Sequence, residues 1–159
     1  MFLGIIVVGL AVAWAVGANG AHTALAGSAA PDFTVDLFDG SRFDLAEHLS
    51  ADDRPLILNL WASWCTPCRE EIPDLSTFAE GHPEYAVLGV AVDESRDDSV
   101  AFGKQLDPSY PLGWGDDAFR NAYQTIGLPG TFFIDETGNV TEVYNGVLTL
   151  DKLETLATG

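Results

Sequence analysis

The chain has 159 residues, 47% of them hydrophobic, enough for one ordinary core and a single globular domain. With 24 acidic against 7 basic side chains its formal charge is −17, which leaves no surplus of Lys or Arg to neutralise phosphates and argues against nucleic acid as a partner. The only two cysteines, Cys65 and Cys68, are too close in sequence to staple distant segments, and His22, His48 and His82 do not stand at metal-ligand spacing, so neither a disulfide framework nor a zinc site or other cofactor is expected.

From Phe2 to Ala18 the sequence reads FLGIIVVGLAVAWAVGA, and the first ionised side chain is Asp32. At 1.5 Å of rise per residue a helix of this length reaches the short end of what spans a bilayer, and it is slightly long for a signal-peptide core. Residues 1–18 therefore read as a membrane anchor or a cleaved signal, and both remain open: Ala24-Leu25-Ala26 suits a signal peptidase, while no Lys or Arg precedes the apolar run. Residues 19–31 are small and tether-like, and the folded domain is expected over 32–159.

Asp32 to Leu37 alternates polar with apolar, Asp39-Gly40 supplies a turn, and Ser41 to Leu45 resumes the alternation, which predicts an N-terminal hairpin. Leu56 to Trp61 is apolar on both faces except for Asn59, as a central buried strand would be. Apolar residues at Ile72, Leu75, Phe78 and Ala79 predict an amphipathic helix over 67–80, with Gly81 placed to end it and Pro73 removing one internal bond. A strand over 85–92, a helix over 99–106, an extended piece over 110–114 and a helix over 116–126 follow. Strands over 131–134 and 140–144 around the Thr137-Gly138 turn, and a helix over 150–157, complete an α/β sandwich with a mixed sheet. The acidic run Asp93 to Asp98 is expected to cap a helix and face solvent.

Cys65-Thr66-Pro67-Cys68 stands where the buried strand meets a helix N-terminus. Unpaired backbone N–H groups and the positive helix end favour a thiolate at Cys65, and Cys68, one turn on, is placed to resolve a mixed disulfide. Cys68, Glu71, Ile72 and Leu75 share one helix face, so Glu71 is expected on the core side with a raised pKa, exchanging protons with the pair, while Glu70 points away. Trp64 is a candidate apolar rim for a substrate peptide and Trp61 is expected in the core.

WASWCTPCREEIP, GVAVDES and GLPGTFFID, in that order, resemble the thioredoxin superfamily and within it the membrane-tethered TlpA, ResA and CcmG type, over nearly all of residues 32–159. The resemblance implies a thioredoxin-like sandwich with a mixed central sheet, an N-terminal β-hairpin extension and a central αβ insertion. It implies that Pro129 is a cis-proline facing the cysteines, leaving the backbone of Leu128 free to pair with an extended peptide, and that Thr66 and Pro67 contact substrate and tune the potential. Thioredoxins carry an aspartate where this chain has Asn59, which cannot titrate; ResA-type proteins have a glutamate at the position of Glu71.

The function implied is extracytoplasmic thiol-disulfide exchange by a monomer, most simply the reduction of protein disulfides, with apocytochrome c cysteines as substrates and a membrane thiol-disulfide carrier as electron donor. An oxidant or isomerase uses the same residues, and a redox-inactive peptide-binding module is a further alternative that retention of both cysteines disfavours. A peroxidase is disfavoured because the Pro-x-x-x-Thr-x-x-Cys context of a peroxidatic cysteine is absent.

Overall fold

The computed structural model describes residues 25–93 and 95–158, so the membrane-directed segment 1–18 and the first part of the 19–31 stretch lie outside the described residues. Among the described residues no helix is long and apolar enough to cross a membrane. Among the described residues a seven-stranded sheet forms the centre, in the order β2 (Arg42–Asp44), β1 (Thr34–Leu37), β5 (Leu112–Trp114), β4 (Ala86–Ala91), β3 (Leu56–Trp61), β6 (Gly130–Ile134), β7 (Val140–Asn145). Strand β3 (Leu56–Trp61), inside the sheet, is buried at every position, as a run apolar on both faces except for Asn59 requires. It runs parallel to β4 (Ala86–Ala91) and antiparallel to β6 (Gly130–Ile134). The parallel pair needs a crossover, and α2 (Thr66–Gly81) supplies it.

Outward from β4, β5 (Leu112–Trp114) pairs in parallel with it and antiparallel with β1 (Thr34–Leu37), which forms the expected hairpin with β2 (Arg42–Asp44). At the other edge β7 (Val140–Asn145) pairs antiparallel with β6. The helices α3 (Arg96–Leu106) and α4 (Asp117–Ala122) flank β5 in sequence and form the central insertion, and α5 (Leu150–Thr158) ends the described chain.

Alternate residues of the central strands divide the core in two. Ile57, Trp61, Val87, Ala91 and Phe133 face α2 and α5 and pack with Ile72, Leu75, Phe78 and Leu153. Leu56, Leu58, Leu60, Leu88, Val90, Phe132 and Ile134 face the other way, onto Phe33, Leu45, Phe119 and Tyr123. This is the period-two geometry of a strand buried on both sides.

Three local expectations are corrected. The alternation read through Leu45 stops at Asp44, whose carboxylate accepts the Glu47 N–H at 2.9 Å and caps a short helix α1 (Leu45–Ala51) that the sequence reading left out. The helix expected over 116–126 ends at Ala122: Tyr123 leaves helical geometry, and the Thr125 side chain seats against Gly130, where a Cβ would lie 2.3 Å from its Cγ2. Ordered structure also begins before Asp32, because the Gly27 N–H donates to the Val140 carbonyl at 2.7 Å and Ala29 bridges to Asn139. The last residues of the expected tether are thus paired with the sheet.

Candidate functional site

The chain leaves β3 at Trp61 and turns at once, with the Cys65 N–H donating to the Ala62 carbonyl at 3.0 Å. Cys65 is the N-cap of α2 in extended geometry, and its Sγ accepts the Cys68 N–H at 3.2 Å. A helix ordinarily uses a Ser, Thr or Asp oxygen here; with sulfur in that place, an orphan N–H and the helix dipole both act on the reactive atom. Cys65 and Cys68 form a disulfide with their Cα atoms 5.3 Å apart. Cys65 is 3% exposed and Cys68 is sealed, so Cys65 is the sulfur an incoming group can reach. Thr66 and Pro67, both exposed, form the first turn beside it.

One turn along α2 from Cys68 a buried polar cluster begins. Glu71 has no exposed surface. Its Oε1 accepts Asn59 Nδ2 at 2.7 Å and its Oε2 accepts the Leu148 N–H at 3.0 Å. Asn59 Nδ2 also donates to Thr131 Oγ1 at 3.0 Å, across the β3–β6 pair in which the two residues are partners. Burial raises the Glu71 carboxyl from 4.5 to about 7, against the lowering effect of the two hydrogen bonds it accepts. On the same side of the sheet Asn59 Oδ1, Trp61 Nε1 and Tyr110 Oη have no partner among the described residues. Burial and the Glu71 charge push the Tyr110 phenol far above its usual range. One turn along α2, Asp74 accepts the Leu150 N–H at 3.1 Å, so two α2 carboxylates hold the entrance of α5.

The Leu128-Pro129 peptide bond is cis. Because Leu60 pairs with Gly130, Pro129 stands at the end of β3 from which the cysteine loop departs. Beside it Leu60, Trp64, Val92, Tyr123 and Leu128 line a largely apolar cleft of about 340 Å³ that also includes Arg120. Trp64 is 72% exposed, and Ile126, two residues before Leu128, is 71% exposed. The chain thus brings Trp64 and Leu128 together at one opening, while Glu71 is buried one turn along α2 from Cys68. Trp61 is fully buried against Phe102 and takes no part in that surface.

One residue was misread from the sequence. Asp93, placed there in a solvated acidic run, is 3% exposed, and its Oδ2 accepts both the Ser63 N–H at 2.7 Å and the Ser99 hydroxyl at 2.6 Å. Only the later part of the run behaves as expected, with Ser95 capping α3 and Asp97 and Asp98 in its first turn. The contributions of Thr131 and of the Leu148 N–H were also missed; both reach the site from more than 70 positions away in sequence, and no local pattern marks them.

Residues 26–143 match the model of the AhpC/TSA family. The chain belongs to that family. Within it the chain is 31% identical over 134 residues to the thiol-disulfide oxidoreductase ResA of Geobacillus kaustophilus, covering 80% of this chain and 74% of the relative. It is 27% identical over 132 residues to the thioredoxin-like protein YneN of Bacillus subtilis, covering 80% and 76%. Among solved structures, one from Chlorobium tepidum described as a thiol:disulfide interchange protein DsbE superposes with a TM-score of 0.73 at 27% identity, covering 82% of this chain and 96% of that one. The fold is thioredoxin-like, and this AhpC/TSA member, with its C-x-x-C pair in place, is a thiol-disulfide oxidoreductase that works by dithiol exchange.

Proposed function

We propose that the protein reduces disulfides in other proteins outside the cytoplasm, with Cys65 attacking, Cys68 resolving and Glu71 exchanging protons with the pair. In the reduced enzyme the Cys65 thiolate displaces one sulfur of a substrate disulfide, which leaves as a thiolate and takes up a proton. Cys68 then attacks Cys65, freeing the second substrate thiol and leaving the enzyme as the Cys65–Cys68 disulfide, to be recharged with two electrons by a membrane thiol-disulfide carrier. Trp64, Thr66, Pro67, Leu128 and Pro129 form the surface on which the substrate chain lies, its backbone pairing beside Leu128.

The observation that carries this reading is the buried Glu71 on the helix with the thiolate-favouring cap. A strong oxidant of this class owes its potential to a stabilised reduced thiolate. An ionised carboxylate buried one turn along α2 from Cys68 opposes that stabilisation and favours the disulfide form of the couple, which makes the dithiol a better reductant. The extracytoplasmic location rests on the apolar run from Phe2 to Ala18, as anchor or signal. The paired cysteines of apocytochromes c are the first substrate to try, by family resemblance, and the active unit is a monomer.

The reduction potential decides the direction. The full chain, equilibrated in defined thiol-disulfide buffers with free thiols counted, is expected near or below the thioredoxin figure of about −270 mV. A value near the DsbA figure of about −120 mV would make it an oxidant and overturn the reading.

A further inference from the structure

We propose that Asp93 is a positioning residue for exchange with polypeptide substrates: its Oδ2, accepting from Ser63 and Ser99 together, fixes the loop that presents Trp64 beside Cys65. The proposal rests on Cys65 being the attacking thiol. The loop between β3 and α2 has one internal tie, from the Cys65 N–H to the Ala62 carbonyl, which closes a turn around Ser63 and Trp64 but bonds to no atom of either. Ser63 is held instead from outside, by the nearly sealed Asp93 carboxylate.

Asp93 is itself held at its carboxylate and its carbonyl by the insertion. Its Oδ2 takes the Ser99 hydroxyl of α3, and its carbonyl oxygen accepts Trp114 Nε1 at 3.2 Å and Arg120 Nη1 at 3.1 Å, from β5 and α4. Arg120 in turn lies beside Trp64 and Leu128 in the apolar cleft. A charge-assisted bond from a backbone N–H to a buried carboxylate is among the stronger local restraints available. The central insertion thereby sets the height and angle of the Trp64 ridge. Cys65 has a support of its own besides that turn, the α2 cap.

That division gives the test. Reduced full-length chain is assayed on insulin disulfides and on the small aromatic disulfide dithiobis(nitrobenzoate). Asp93→Ala is expected to lower kcat/KM on insulin about tenfold, mainly through KM, while the small-disulfide rate stays within about twofold. Asp93→Asn, whose amide oxygen can accept from both donors, restores most of the lost selectivity. Ser99→Ala, which leaves the Ser63 bond in place but frees the carboxylate to rotate, gives a smaller loss of the same kind, and it decides the matter if Asp93→Ala does not fold. Loss on both substrates in equal proportion, or an unchanged ratio in both alanine variants, overturns the proposal. A Cys65→Ser chain that still reduces insulin would instead overturn the assignment of the attacking thiol, and is distinguishable because it makes no reference to Asp93.

Discussion

The two faces of the central sheet are built from the same three strands and differ in what they enclose. Away from the cysteines, Leu58, Leu60, Leu88, Val90, Phe132 and Ile134 meet an aromatic set in which Phe33, Phe119 and Tyr123 stack or meet edge to face. The one phenol there places its hydroxyl on the Pro31 carbonyl. Towards the cysteines the face buries Asn59, Glu71 and Thr131 and leaves Asn59 Oδ1, Trp61 Nε1 and Tyr110 Oη without partners among the described residues. Burying an unpaired polar group costs stability, and a buried carboxylate costs more. The chain concentrates that cost on the face where sulfur chemistry takes place and lets the other face supply cohesion.

The sharpest way to break this division is to open the dry face. Phe132→Ala removes a fully buried ring and is expected to cost about 3–5 kcal/mol in denaturant unfolding, with the reduction potential of the surviving folded protein unchanged. A potential that moves with it would mean that the two faces are not separable.

Glu71→Gln probes the polar face. With its folded carboxyl near 7 and an ordinary value of 4.5, Glu71 binds its proton more tightly in the folded state between those limits, so its contribution to stability falls as pH rises from about 4.5 through 7 and is lowest above that. Ionised Glu71 then costs about 3 kcal/mol. Glutamine avoids the charge but gives up one acceptor, so the variant should be more stable than wild type by roughly 1–2 kcal/mol at pH 8 and show no such advantage at pH 5. A stability difference that does not change between those two pH values would remove Glu71 as a buried titrating group. The same variant should shift the alkylation pH profile of the reduced cysteines, and an unmoved profile would end its role as their proton partner.

Trp64→Ala is the smallest perturbation to the fold. With the side chain mostly in solvent, melting should change by no more than about 0.5 kcal/mol, while KM for a protein disulfide rises several-fold. A large loss of stability would mark Trp64 as structural.

What the sequence showed and what it hid follow the same physical line. Leu56 to Trp61 reads as a central strand because its burial on both faces is written in consecutive residues, and the boundaries match. Glu71 is legible for a related reason: it shares a helix face with Cys68, Ile72 and Leu75, all four buried in α2. The α1 helix was missed although Asp44 and Glu47 stand at capping-box spacing, because seven residues carry too little periodicity to outweigh the strand pattern before them. Asp93 was hidden differently. Four of the five residues after it are charged and its carboxylate meets Ser63 and Ser99, so nothing short of the tertiary arrangement separates it from the acids that follow.

The hold of Glu71 and Asp74 on the backbone of Leu148 and Leu150 has a practical side. Helix α5 is fastened at its entrance by the same α2 segment that carries the redox pair, so residues 150–158 are not a neutral place to cut. Trimming α5, swapping it for a relative's, or pulling on it through a fused partner would disturb the Glu71 carboxylate before it disturbed the sheet. A reporter or affinity handle placed after residue 158 therefore belongs on a spacer long enough to leave that helix slack.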